Sequence, residues 1–380
     1  MDSNLRITPE DELILLCSIS EIDNKSIDRI KNLLNLDLNW NYFIKKATDH
    51  KLKPLIYLNL KNFQNNIPNN IYGDLKIYFM ENTQKNLLLT GELIKIIEIF
   101  ENHRIPLISY KGPVLTYLTY GNLSMRHFVD LDLLVNPDHV NQAHEILYSM
   151  GYDSDLKLNE KQNKKFISQQ QELKFFNKSN NVSVDLHWKL SLLHSVKTSS
   201  LIKKTKNVEI FNKPLKTLQP EEMLLLICIH NSSHRWDKLS FLSDLSDFAL
   251  KNDINWFKVI SLAKQMGLMR IVNINLILIK NIMNLNLLPE NLGGCNDKKA
   301  RKMVNKVQKK LLVEGNSLNL AEELFFTIVI RDNITLGLQD VITNLFKPTS
   351  YEWRKIPLPV KMTYLYVIIR PFLLLLRYGI

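Results

Sequence analysis

Asp130 and Asp132, in the run Arg126-His-Phe-Val-Asp130-Leu-Asp132-Leu-Leu-Val135, are the residues whose type and spacing point most directly to chemistry. Side chains at i and i+2 of a strand share one face, with β-carbons roughly 7 Å apart at a rise of about 3.3 Å per residue. The neighbours Val129, Leu131, Leu133, Leu134 and Val135 are apolar, so burial of the strand is expected. Two carboxylates on one face of such a strand repel unless a cation lies between them. Hard oxygen donors at this spacing suit Mg²⁺ or Mn²⁺. The alternative is an edge strand whose two acids simply face solvent.

A third carboxylate strengthens the metal reading. In Val182-Ser-Val-Asp185-Leu-His187-Trp188, Asp185 and His187 share one face, and Val184 and Leu186 the other. Leu173-Lys-Phe-Phe176 reads as the preceding strand, and Asn177-Lys-Ser-Asn-Asn181 has turn chemistry. A hairpin that sets Asp185 beside Asp130 and Asp132 would complete a three-carboxylate site. Such a site can hold two divalent ions for in-line phosphoryl or nucleotidyl displacement.

These residues need elements to position them. Ile105-Pro-Leu-Ile-Ser-Tyr110 reads as a strand, followed by a helix from Pro113 to about Tyr120 that leads into the Asp-x-Asp strand. Pro137-Asp138 opens another helix ending near Met150-Gly151, with the glycine as C-cap. Before this unit the pattern is helical: Thr8-Pro9-Glu10-Asp11 caps the first helix, and helical patterns cover Asp37 to His50 and Tyr72 to Asn102. After about Gln219 the pattern is again helical, broken between Asn284 and Gly294. A polar gap from Ser195 to about Ser200 marks a possible lobe boundary.

The set Tyr110-Lys111-Gly112, Tyr120, Arg126, Asp130-Leu-Asp132-Leu-Leu-Val135 and Asp185-Leu-His187-Trp188 resembles the bacterial nucleotidyltransferase family usually described as uncharacterised. That family belongs to the DNA polymerase beta-like nucleotidyltransferase superfamily. Gln219-Pro-Glu-Glu, His230 and His234 before Trp236, Leu242-Ser-Asp244, Asn255-Trp256 and Trp353-Arg-Lys-Ile-Pro-Leu-Pro359 carry the likeness onward, as do Ile369-Arg-Pro371 and Arg377-Tyr378-Gly379.

The resemblance implies that Asp130, Asp132 and Asp185 are catalytic and bind the metals. Superfamily members usually place Gly-Ser or Gly-Gly at the helix start before the Asp-x-Asp strand. Here the stretch is Lys111-Gly112-Pro113, so a phosphate-binding serine is missing and Lys111 would act as a point charge in its place. Gly112 would let backbone amides approach phosphate at a helix N-terminus. Arg126 would clamp a triphosphate oxygen. His187 would orient Asp185 or a substrate group. For Lys111 and Arg126 the plain alternative is surface charge, for His187 a hydrogen-bonded hairpin histidine, and for Trp188 a place in the core. The expected fold class is α+β, a small mixed-sheet core over residues 105–190 between an N-terminal helical lobe (1–104) and a C-terminal helical lobe (191–380).

Bulk properties agree with a cytoplasmic enzyme. Three cysteines, Cys17, Cys228 and Cys295, are too few and too scattered for a disulfide framework. The N-terminus lacks a basic segment leading into an apolar one, so no signal peptide is expected. The formal charge of +11 concentrates in Lys298-Lys-Ala-Arg301-Lys302 through Lys306, Lys309 and Lys310, and again between Lys347 and Arg377. Such surfaces attract RNA or anionic surfaces, or are simply solvated helix faces. The apolar run from Met362 to Leu376 is interrupted by Arg370-Pro371 and falls short of the ~20 residues a membrane span needs. It reads as a docked helix, or as an interfacial one with Tyr364, Tyr366 and Arg377 at its polar boundary.

His230 and His234 stand one helical turn apart, a spacing that can bind zinc, but no glutamate follows His230 and no protease is implied. Asp244 and Asp247 have Arg235 and Lys238 as nearby candidates for pairing. Walker A, Gly-x-Gly-x-x-Gly and Gly-x-Ser-x-Gly motifs are all absent, which argues against a P-loop kinase, a dinucleotide dehydrogenase and an α/β-hydrolase. The expected activity is transfer of NMP from an NTP to a hydroxyl acceptor (a small molecule, protein or tRNA) with Mg²⁺ or Mn²⁺ and release of pyrophosphate. The alternative is an inactive relative that binds RNA or a peptide.

Overall fold

The computed structural model describes residues 7–190, 198–289, 297–312 and 320–378. The expectations that fall on residues 195–197, on Gly294 and Cys295, and on Gly379 lie outside the described residues. Contacts group the chain into two interleaved units. One comprises Met1–Thr90, Leu115–Phe128 and Pro220–Asn316, the other Gly91–Val114, Val129–Gln219 and Ser317–Ile380. The structure is mostly helical, with a four-stranded mixed sheet and a separate two-stranded one, an α+β architecture.

Both sheets belong to the second unit. Strands β1 (Leu107–Ser109), β2 (Asp130–Val135), β3 (Glu172–Asn177) and β4 (Val182–His187) lie in the order β1-β2-β4-β3. β2 and β4 run parallel, and the outer pairs are antiparallel. Alternation decides the two faces. Leu131, Leu133, Val184, Leu186, Leu173 and Phe175 turn to one side, where the helix Val140–Ser149 stacks His144 and Tyr148 edge-on against Phe175 at 5.2 and 5.6 Å. Asp130, Asp132, Asp185 and His187 are left on the opposite side. Trp188 is fully buried, its indole N–H donating to the carbonyls of Ile167 and Gln170 at 3.0 and 2.9 Å, so it is a core residue.

The sequence reading placed no strand after His187. The structure has a hairpin there, β5 (Lys206–Ile210) and β6 (Lys213–Thr217). Its two-residue turn puts Phe211 and Asn212 at φ +51° and +59°. A turn with both central residues left-handed normally advertises itself as Asn-Gly or Asp-Gly, and Phe-Asn hides that signal.

The C-terminal helices of this unit are Leu320–Val329, Ile334–Phe346, Ser350–Lys355 and Tyr366–Tyr378, the last continuing through Pro371. Among the described residues no helix is long and apolar enough to cross a membrane. Glu352 is 1% exposed and closes a capping box on Thr349, and it accepts from Arg370 Nη1 at 2.9 Å. Tyr366, which only the interfacial reading set at a polar boundary, is buried, its hydroxyl donating to Ile356 O at 2.8 Å. Glu352→Gln weakens a buried charge-assisted contact, and a loss of about 2 kcal/mol is expected in urea unfolding.

The first unit is helical among its described residues. Helices Pro9–Leu16, Asn24–Leu34, Trp40–Asp49 and Lys53–Leu60 precede the 34-residue helix Asn69–Asn102, of which the part up to Thr90 belongs to this unit, and Pro220–Ser233, Leu239–Lys251, Trp256–Met266, Met269–Met283 and the basic helix Lys298–Leu312 follow later. Helix Pro220–Ser233 is buried along most of its length, as its apolar run requires. Asn275 organises the interior: its Oδ1 accepts from Asn231 and from the Trp236 indole at 2.9 and 2.8 Å. Asn82 and Asn86 fix the segment before β2 by donating to carbonyls of Leu123, Ser124 and Arg126.

Candidate functional site

The parallel register of β2 and β4 sets Asp132 directly beside Asp185. His187, two residues along β4, shares their face. One ligand atom from each of Asp132, Asp185 and His187 lies within 4.8 Å of the others, and all three side chains are buried. Asp130 stands at the start of β2 on the same face, opposite Ser183 and half-buried. It is not one of the three converging residues, yet its charge reaches Asp185, Lys174 and Tyr110. A one-residue slip of β2 would have turned Asp130 and Asp132 to the face opposite Asp185 and His187.

Cations already lie against the cluster. Lys111 Nζ is 2.8 Å from Asp132 Oδ1, and Lys174 Nζ is 2.8 Å from Asp185 Oδ2. His187 spans two carboxylates, with Nε2 3.2 Å from Asp132 Oδ1 and Nδ1 3.1 Å from Glu172 Oε2. Tyr110 is fully enclosed beneath, its ring edge-to-face with His187 at 5.7 Å.

The two central acids differ electrostatically. Burial works to raise the Asp132 carboxyl, but the Lys111 ammonium and His187 outweigh it and hold that carboxyl well below the usual range. Burial pushes the Asp185 carboxyl up by more than Lys174 pulls it down, and the neighbouring Asp132 and Asp130 charges add to the rise. Burial would lower the Lys174 ammonium, yet its contact with Asp185 raises it. Burial, then the nearby carboxylates, push the Tyr110 phenol well above its ordinary value, so it stays an O–H at neutral pH.

Among the described residues this face carries the carboxylates of Asp130, Asp132, Asp185 and Glu172, with the Lys111 and Lys174 ammoniums against Asp132 and Asp185. Two carboxylates and an imidazole within ligating distance are a donor set that fits one divalent cation. Glu172 would then orient His187 through its other nitrogen, the usual arrangement around a ligating histidine.

The remaining expected residues are placed as follows. Gly112 begins the helix Gly112–Tyr120 with φ +51°, a left-handed backbone that glycine adopts without strain. Arg126 belongs to the first unit, where its Nε donates to Asp244 Oδ2 at 2.8 Å and the Tyr120 hydroxyl donates to Asp244 Oδ1 at 2.8 Å. Asp247 accepts from the backbone and hydroxyl of Ser20. The partners shown for both acids thus come from distant sequence, and Lys238 lies against Asp237 at 3.7 Å. His230 and His234 lie 4.6 Å apart, edge-on, and both pack on Phe241.

Sequence reasoning missed Glu172 and Lys174. Their signal was available: both stand at i and i+2 in the first strand of the hairpin, whose pairing puts them opposite His187 and Asp185.

An uncharacterised nucleotidyltransferase family matches residues 37–284, and the chain belongs to that family. The acidic sheet face lies within the matched segment. Comparison with curated proteins gives no match.

Proposed function

We propose that the protein is a metal-dependent nucleotidyltransferase of the DNA polymerase beta-like superfamily, moving NMP from an NTP to a hydroxyl acceptor and releasing pyrophosphate. The observation that carries this reading is the side-by-side placement of Asp132 and Asp185, with His187, in a chain of a nucleotidyltransferase family. Asp132, Asp185 and His187 would hold Mg²⁺ or Mn²⁺, with Asp130 beside them. A bound divalent ion would supply charge neutralisation at the triphosphate and acidify the attacking hydroxyl. Asp185, the carboxyl with the raised affinity for protons, would take that hydroxyl's proton. Lys111, free to move from Asp132 to an incoming phosphate, would offset charge developing on pyrophosphate. Gly112 at its helix start would give a phosphate close access to the backbone. Arg126, fixed on Asp244, would act on the triphosphate only if that pairing were shared. Residues 105–190 would form the catalytic core and the helical segments the acceptor site.

The test is incubation with each α-labelled NTP and Mg²⁺ or Mn²⁺ in a cell extract, followed by mass spectrometry. An increment of one nucleoside monophosphate on a small molecule, protein or tRNA is expected. The reading is abandoned if no label transfers and no nucleotide binds. Lys-Gly-Pro in place of the superfamily's usual Gly-Ser or Gly-Gly favours the second reading, an inactive scaffold for RNA or a peptide. That reading predicts salt-sensitive RNA binding indifferent to Asp132.

A further inference from the structure

The helix Tyr366–Tyr378 has its polarity inverted. From Tyr366 to Leu376 the polar side chains turn inward: Tyr366 is buried on the carbonyl of Ile356, and Arg370 is held by Glu352 and by the carbonyl of Asn344. Every exposed side chain from Tyr366 to Leu376 is apolar, namely Val367, Ile368, Phe372, Leu375 and Leu376, and Phe372 and Leu376 are 63% and 74% exposed. The helix Ile334–Phe346, which packs against it, exposes Ile334, Leu338, Ile342 and Phe346 at successive turns. Two packed helices thus leave nine large apolar side chains exposed, and grouped exposed apolar side chains mark interaction surfaces.

We propose that this outer face docks on a bilayer surface rich in anionic lipid. The charge pattern selects that occupant. Between residues 333 and 376 the exposed charged side chains are Arg354, which pairs with Asp155 at 2.8 Å, and Lys355 and Lys361, while the acidic Glu352 is sequestered against Arg370. Lys361 sits in the turn that also exposes Met362 and Tyr364, which places a cation and an aromatic ring at the edge of the apolar face. Apolar side chains entering the acyl boundary with basic residues at the rim is the pattern of an interfacial helix. A second copy fits less well, because a twofold contact would bring these cations toward their own equivalents. A protein partner fits less well too. The exposed face from Tyr366 to Leu376 offers no side-chain hydrogen-bonding group, whereas protein interfaces carry about one hydrogen bond per 100–200 Å². Thirteen residues of helix lie on a membrane rather than across it.

The test is flotation of the full-length protein with vesicles of phosphatidylcholine plus phosphatidylglycerol, and with phosphatidylcholine alone. Binding to the anionic vesicles, weakened by salt, is expected. Phe372→Ser combined with Leu376→Ser should cut partitioning by about tenfold or more, and Lys355→Gln combined with Lys361→Gln by about thirtyfold. Both pairs are exposed, so unfolding temperature should hold and loss of binding is not loss of fold. Failure to float, equal binding to neutral vesicles, or indifference to both variants overturns the proposal. So does a dimer in sedimentation velocity that Phe372→Ser with Leu376→Ser dissolves, which assigns the face to a second copy. None of these outcomes depends on nucleotidyl transfer.

Discussion

Asp132→Asn is expected to lower nucleotidyl transfer by about a thousandfold or more while the chain stays folded. Asp132 is the carboxylate on which the face converges. It is 5% exposed, it sits beside Asp185 in the parallel register, and Lys111 and His187 both contact its Oδ1. Asparagine keeps the shape and one oxygen acceptor but removes the charge that a divalent cation and Lys111 both require. Two measurements separate chemistry from folding. Initial rates with labelled NTP should collapse. Stabilisation of the unfolding temperature by Mn²⁺ plus NTP should vanish, while circular dichroism is unchanged. A variant that transfers within a few-fold of the parent would remove Asp132 from the site. Glu172→Gln, which acts through His187 rather than on the ion, should weaken the same Mn²⁺-dependent stabilisation by about 10–100-fold in apparent affinity.

Acidification is expected to destabilise the fold steeply between pH 6.5 and pH 4. His50 and His144 are 6% and 5% exposed, and burial lowers each to about 4. Lys46 beside His50 adds to its fall, and His50 Nδ1 accepts from the backbone N–H of Leu239, which requires the neutral ring. In this window the unfolded chain takes up a proton at each histidine and the folded chain does not. Stability is therefore full above 6.5 and falls as pH drops toward 4, by roughly 3 kcal/mol for each residue. Asp247 works in the opposite direction. Burial raises its carboxyl to about 6, so from pH 6 down to the unfolded value near 3.8 the folded state binds the extra proton. That returns roughly 3 kcal/mol. Together these three groups give a net loss of about 3 kcal/mol by pH 4, and His127, which burial also lowers to about 4, adds to the loss. Urea unfolding at pH 7, 5.5 and 4.5 measures it. His50→Gln should flatten the slope, and Asp247→Asn should steepen it. A flat profile for the parent protein would show that these groups titrate alike in both states.

Much of the acidic face was legible in the sequence because strands have a period of two. Asp130 and Asp132 in an apolar run, and Asp185 with His187 in another, had to point the same way within each strand once the apolar alternates were buried. The turn Asn177 to Asn181 announced the hairpin through its side chains, and Asn177 accepts from Ser179 as that chemistry implies. The hairpin Lys206 to Thr217 was not legible, because its turn lacks glycine and its strands alternate with lysine and glutamate.

Residue types and local periodicity by themselves determined that this chain is α+β, that two strands carry acids on one side, and that the flanking segments are mostly helical. They did so because those features are set within a few residues. Only tertiary structure decided that β2 and β4 are parallel neighbours, that His187 rather than Asp130 completes the tight cluster, and that Arg126 pairs with Asp244, 118 residues away. It also decided that the last helix turns Arg370 inward and Phe372 outward. Pairing partners distant in sequence leave no local signature, since register and ion pairing are selected by the burial of whole faces together.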